Sequence, residues 1–97
     1  MDTFDRGETL QFTFVTDDIN GNPVLPSGAY LEISYYDRSR VKTTTRIEMS
    51  PETDGFAADW NSTVAYPGII SWVMASEDAF VAAQQGQFIL AANDANL

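Results

Sequence analysis

The chain has 97 residues, 14 of them acidic and 5 basic, for a formal net charge of −9. With no cysteine and no histidine, it lacks disulfide staples, thiolate metal sites, thiol nucleophiles and the commonest general base. An acidic surface repels nucleic-acid phosphates, while an apolar share of 44% marks one globular domain over 1–97 rather than a disordered chain.

The dominant hydrophobic period is two. In "TLQFTFVT" (9–16), Leu10, Phe12 and Phe14 share one face and Gln11 and Thr13 the other, as in a half-buried strand. "DTFDRG" before it is a candidate short strand. "DDINGNPVLPSG" is turn and loop, marked by Asn20-Gly21, Pro23, Pro26 and Gly28. "AYLEISYY" (29–36) alternates again, and "VKTTTRIEM" (41–49) is β-branched and alternating. "SPETDG" (50–55) reads as a turn, "FAADW" (56–60) as a short strand and "NSTVAYPG" (61–68) as a connection. "IISWVMAS" (69–76) is the most apolar strand and is expected at the centre of a sheet. "SEDAFVAAQQG" (76–86) reads two ways. One is a helical turn capped by Ser76 and stopped by Gly86; the other is a loop with a loose edge strand. "GQFILAA" (86–92) is the last strand, and "NDANL" is a tail. Six or seven short strands with Gly, Pro and Asn punctuation predict an all-β antiparallel sandwich or barrel.

Residues opposite one another in an antiparallel pair point to the same face. Pairing Leu31 with Ile47 sets Ile33 against Thr45, Glu32 against Arg46, Ser34 against Thr44 and Tyr36 against Lys42. This register needs an odd loop and puts Lys42 and Arg46 outside. An even loop would push both cations beside Leu31 and Ile33, at a high desolvation cost.

The succession "RGETLQFTF", "DINGNPV", "SGAYLEISYYD", "DGFAADW", "YPGIISWVMAS" and "GQFIL" resembles small immunoglobulin-like domains of tailed bacteriophages, from about Asp5 to Leu90. The resemblance implies an immunoglobulin-like sandwich. The 29–49 hairpin would supply strands C and C′, on the sheet with F and G; 9–16 and 56–60 would be B and E on the other sheet. The strand carrying Lys42 and Arg46 would then be an edge. "SEDAFVAAQQ" is longer than the link such domains use there. The resemblance also implies a non-enzymatic virion part: capsid decoration or cement, a neck or head–tail accessory, or a tail or baseplate module. The alternative is a carbohydrate- or receptor-binding module of a tail or baseplate.

Four of the five basic residues, Arg38, Arg40, Lys42 and Arg46, lie in "RSRVKTTTR". Cations on an edge strand block strand-to-strand aggregation. They can also steer an acidic body onto an acidic partner. Tyr and Arg dominate interface hot spots, so Tyr36, Arg38, Arg40, Lys42 and Arg46 are the expected partner-binding residues. The expected partners are other virion proteins, a major capsid or neck or tail protein, met in repeated copies and without nucleic acid or membrane.

Other patterns have plainer readings. Asp18, Asn20 and Asn22 have calcium-loop spacing, but Pro23 stands where such a loop needs glycine, so a turn is expected. "NST" at Asn61 matches a glycosylation sequon but reads as a turn. The pairs Asp17/Asp18, Glu52/Asp54 and Glu77/Asp78 fall in turn-like segments and read as a solvated acidic face, not as a glycosidase pair. Trp60 and Trp72 have apolar neighbours two residues away and are expected in the core, whereas Tyr30 and Tyr36 are expected outward. No catalytic residue, cofactor or metal is expected. "MDTFDRGE" has no apolar signal-peptide core, and no apolar run approaches the ~20 residues of a membrane span. The expected location is the virion, after assembly in a host cytoplasm.

Overall fold

The computed structural model describes residues 1–92. The tail expected at 93–97 lies outside the described residues. The chain forms β1 (Thr3–Asp5), β2 (Thr9–Val15), β3 (Tyr30–Tyr36), β4 (Lys42–Glu48), β5 (Ser50–Pro51), β6 (Gly55–Asn61), β7 (Gly68–Ala75) and β8 (Gln84–Ala91). One sheet has the order β1-β8-β7-β3-β4 and the other β2-β6-β5. This is the β-sandwich expected from the alternation, with the strands distributed as the immunoglobulin-like resemblance implies: β3, β4, β7 and β8 lie in one layer, and β2 and β6 in the other. The strand count exceeds seven because Ser50–Pro51, inside the segment read as a turn, pairs with Ala57 and Phe56. β1 runs parallel to β8, and the remaining ladders are antiparallel.

The β3–β4 register is the expected one, from Leu31↔Ile47 to Tyr36↔Lys42. The intervening loop is 37–41, an odd number of residues. Local chemistry sets this turn. The Asp37 carboxylate accepts from the amides of Ser39 and Val41, both at 2.9 Å. The Arg40 amide donates to Asp37 O at 2.8 Å, and Arg40 itself takes a left-handed φ of 64°. An Asp side chain bonded to its own turn is the usual way such a loop is held.

Alternation drives the inward side chains into one layer. Leu31 and Ile33 (β3), Phe14 (β2), Ile70 (β7) and Leu90 (β8) are fully buried, each stabilising by roughly 1.5–3 kcal/mol relative to exposure. Trp60 is buried with its ring 5.3 Å from Tyr35 and 6.4 Å from Phe88. Trp72 is half-buried and packs against both halves of the core. β7 is central, as its apolar character predicts.

Of the two readings of 76–86, the loop is the one that forms. Ser76 Oγ does accept the Asp78 amide, as a cap would, at 3.1 Å. Tertiary contacts take over beyond it. Val81 is buried and bridges Asp18, and the Ala82 amide donates to Asp17 O at 2.9 Å. β8 then starts at Gln84, two residues earlier than expected, because Gln84 pairs with Met74.

The molecule measures 43 × 23 × 22 Å. Strands of seven or eight residues span about 23–27 Å, and their ends carry the loops in two opposite groups. One end, the hairpin end, holds the 37–41 turn and the 3₁₀ turn Ser62–Val64. At the other, the loop end, the 16–29 and 76–83 segments meet the 49–54 segment, which carries β5.

Candidate functional site

The hairpin end is built around Arg6. This arginine follows β1 and is 3% exposed. Its Nε donates to Ala65 O at 2.8 Å and its Nη2 to Thr63 O at 2.7 Å. It thereby satisfies carbonyls at the C-terminal end of the 3₁₀ turn, where a cation is favoured. Ser62 Oγ donates to Glu8 O at 2.7 Å and accepts the Gly7 amide at 2.8 Å. Asn61 caps the turn with its carbonyl oxygen, which accepts from Thr63 N at 3.0 Å and Thr63 Oγ1 at 2.8 Å. The sequon is thus a turn, as expected.

This frame delivers Tyr66 to the hairpin. The Tyr66 amide donates to Tyr36 O at 2.7 Å, and Ala65 bridges Asp37. Arg40 then lies over the Tyr66 ring, 4.8 Å from its centre, with Nη2 donating to the Tyr66 hydroxyl at 2.9 Å. Tyr36 is 52% exposed and Val41 58%. On the outer face of the sheet, Ile69 (58% exposed) pairs with Ile89, and Tyr36 ends the adjoining strand at the same end. A shallow hollow of about 160 Å³ lies between Arg38, Arg6 and Tyr66. Among the described residues, neither Arg38 nor Lys42 has an ion pair or a side-chain hydrogen bond.

Four of the five expected partner-binding residues, Tyr36, Arg38, Arg40 and Lys42, therefore converge on one exposed end. Arg46 is placed apart from them, four residues along β4, or about 13 Å. Its guanidinium crosses the Tyr30 ring at 3.9 Å and bonds Glu48 at 3.0 Å and Glu77 at 2.9 Å. The Glu77 hydrogen bond is the main cause that raises its pKa above the ordinary arginine value. Glu32, directly opposite Arg46 in the ladder, is not its partner. The extended side chain instead leans across the strand toward the loop end. β4 is an edge strand, so its cations also stand where they discourage edge pairing.

A carbohydrate-binding module would need exposed rings, and Tyr30 and Tyr66 each have one ring face covered by a guanidinium. The Asp18 carboxylate accepts from the amides of Asn20 at 2.8 Å and Asn22 at 3.0 Å, so the calcium-like spacing forms a turn. The Asn22 amide is the main cause that lowers the Asp18 pKa.

Sequence reasoning missed Val41, Ile69 and the framing role of Arg6. The Ile69 signal was available. Ile70, Trp72 and Met74 must share the inner face, so Ile69 must face out. Arg6 had no such signal, because its partners are about 60 residues distant in sequence.

No family model, curated protein or solved structure matches the chain.

Proposed function

We propose that the chain is a non-enzymatic structural subunit of a phage particle that docks through its hairpin end onto an acidic surface of another virion protein. One observation carries this reading. On a protein of net charge −9, Arg38, Arg40 and Lys42 gather with exposed Tyr36, Val41 and Tyr66 on one rigidly framed end. Aromatic rings beside arginines are the composition of interface hot spots. A local positive strip on an acidic body fixes the orientation of approach, which favours a single docking geometry. Buried area is then multiplied by repetition around a ring or lattice, where many weak contacts add up to one stable shell. Capsid decoration and neck accessory are both compatible with this chemistry, and the phage-domain resemblance supports either.

The test uses particles assembled from the genes that flank this one. Mass spectrometry of purified particles should find the chain at a copy number matching the particle's symmetry. The triple variant Arg38→Glu, Arg40→Glu, Lys42→Glu should lower incorporation at least about tenfold, the effect of losing one hot-spot cluster. Unchanged incorporation would refute docking through this end.

A further inference from the structure

Resting on the reading that the hairpin end docks, we infer that one partner it fits is the loop end of a second copy of this chain, so that copies join head to tail. Three loops converge at the loop end. Asp18 bridges Val81, the Ala82 amide donates to Asp17 O at 2.9 Å, Asp78 accepts from the amide and hydroxyl of Ser27 at 2.9 and 3.1 Å, and the Met49 amide donates to Ala29 O at 3.0 Å. These contacts tie the end into one surface, yet it leaves large apolar side chains in water. Ile19 is 81% exposed, Leu25 69%, Phe80 52% and Val15 50%. Ile19 and Phe80 flank the Asp18–Val81 bridge and so neighbour one another. Apolar groups exposed together on an ordered surface mark an interaction site.

Val15 and Leu25 line a hollow of about 430 Å³ that also meets Asp17 and Asp54. An apolar lining with carboxylates beside it accepts an aromatic ring flanked by cations. The hairpin end projects that set: Tyr36, with Arg38 and Lys42 unpartnered beside it among the described residues. A planar guanidinium suits a two-point contact with a carboxylate.

Charge selects the head-to-tail arrangement over its rivals. Segments 16–29, 49–54 and 76–83 contain Asp17, Asp18, Glu52, Asp54, Glu77 and Asp78 and no basic residue; Arg46 of β4 pairs with Glu77, and among the described residues the other five have no ion pair. Two loop ends meeting would oppose carboxylate to carboxylate, and two hairpin ends would oppose cation to cation; each is disfavoured. The hairpin end has carboxylates too, but Asp37 is occupied by the Ser39 and Val41 amides and Glu8 by the Asp5 amide, and neither they nor Asp5 form an ion pair with Arg38 or Lys42. Because the two surfaces lie at opposite ends of the strands, each contact leaves both outer ends free. Such a heterologous contact propagates into a ring or a filament.

Two complementary variants test this. The first, Tyr36→Ser with Arg38→Ser and Lys42→Ser, blocks the hairpin end. The second, Leu25→Ser with Asp54→Ser, blocks the loop end. All five positions are exposed, and circular dichroism confirms that each variant keeps the parent's β spectrum. Sedimentation velocity is run from about 10 μM to 1 mM at about 0.05 and 0.5 M salt, bracketing strong and weak screening. The parent chain should form species that grow with concentration and shrink at high salt. Each variant alone should be monomeric, with association weakened at least about tenfold. Their equimolar mixture should form a 1:1 dimer and nothing larger, because only one intact pair of ends remains. A monomeric parent, self-association of either variant at parental strength, or a mixture that stays monomeric would overturn the inference. A monomeric parent whose hairpin variant still fails to enter particles would leave docking on another virion protein standing and sink only the copy-to-copy contact. A parent that associates while its hairpin variant enters particles normally would do the reverse.

Discussion

Replacing Arg6 by methionine tests how the hairpin end is held in place. Arg6 is 3% exposed and donates to Ala65 O at 2.8 Å and Thr63 O at 2.7 Å. A hydrogen bond from a charged donor contributes roughly 1.5–3 kcal/mol, so the pair is worth about 3–6 kcal/mol. Methionine keeps much of the aliphatic packing and removes the need to desolvate a guanidinium, which offsets part of that loss. The net cost should be about 2–4 kcal/mol, a large share of the roughly 5–15 kcal/mol that holds a domain of this size. With a urea slope of about 1–1.5 kcal/mol per molar, the low end for small proteins, the unfolding midpoint should fall by about 1.3–4 M. The assay is tryptophan fluorescence against urea, because Trp60 is buried and Trp72 half-buried. Arg6→Lys, whose single ammonium can satisfy one carbonyl well, should fall between parent and methionine variant. A midpoint that moves by less than about 0.3 M at unchanged slope would refute the reasoning, since water would then be serving Thr63 O and Ala65 O just as well.

Gly86 faces Trp72 across the β7–β8 ladder, and a Cβ there would lie 2.6 Å from Trp72 Cζ2. Gly86→Ala should displace the indole, cost about 1–3 kcal/mol as overpacking does, and change the near-ultraviolet dichroism of tryptophan; an unaltered spectrum and melting temperature would contradict the contact. The Asp18 carboxylate is held below its ordinary pKa, chiefly by the Asn22 amide. A depressed folded-state pKa means that its contribution is fully present above the unfolded value of about 3.9 and is lost as pH falls through the folded value. The Asn20 and Asn22 amide resonances should therefore titrate together below that value and lose the transition in Asp18→Ala; a midpoint at or above it would count against the turn geometry.

Much of the fold is legible in the order of residues. Period-two alternation alone assigns Leu31, Ile33, Ile70 and Phe14 to the interior, and all four are buried. The β3–β4 register follows from the same alternation, because a slip of one residue would carry Lys42 and Arg46 inward. The central place of β7 follows from its apolar composition. These features depend on neighbours a few residues apart, or on one strand and its hairpin partner, so local pattern carries them.

The hairpin end is legible only in part. Four of its residues come from one hairpin and can be read from one stretch of chain. Tyr66, Ile69 and Arg6 reach it from distant segments, through a buried arginine and two carbonyls that no local pattern links. Arg46 had Glu32 as its evident partner, yet a flexible side chain spans several residues, and the folded loop end offered Glu77 and the Tyr30 ring at better geometry. Segment 76–86 carries genuine helix-capping chemistry at Ser76, but burying Val81 against the 17–28 loop outweighs it. Alternation of side chains decides which face of each strand is wet, because that choice is made residue by residue. Which distant groups share an end of the molecule is decided by the packing of the two layers, because only closure of the sandwich brings them within reach.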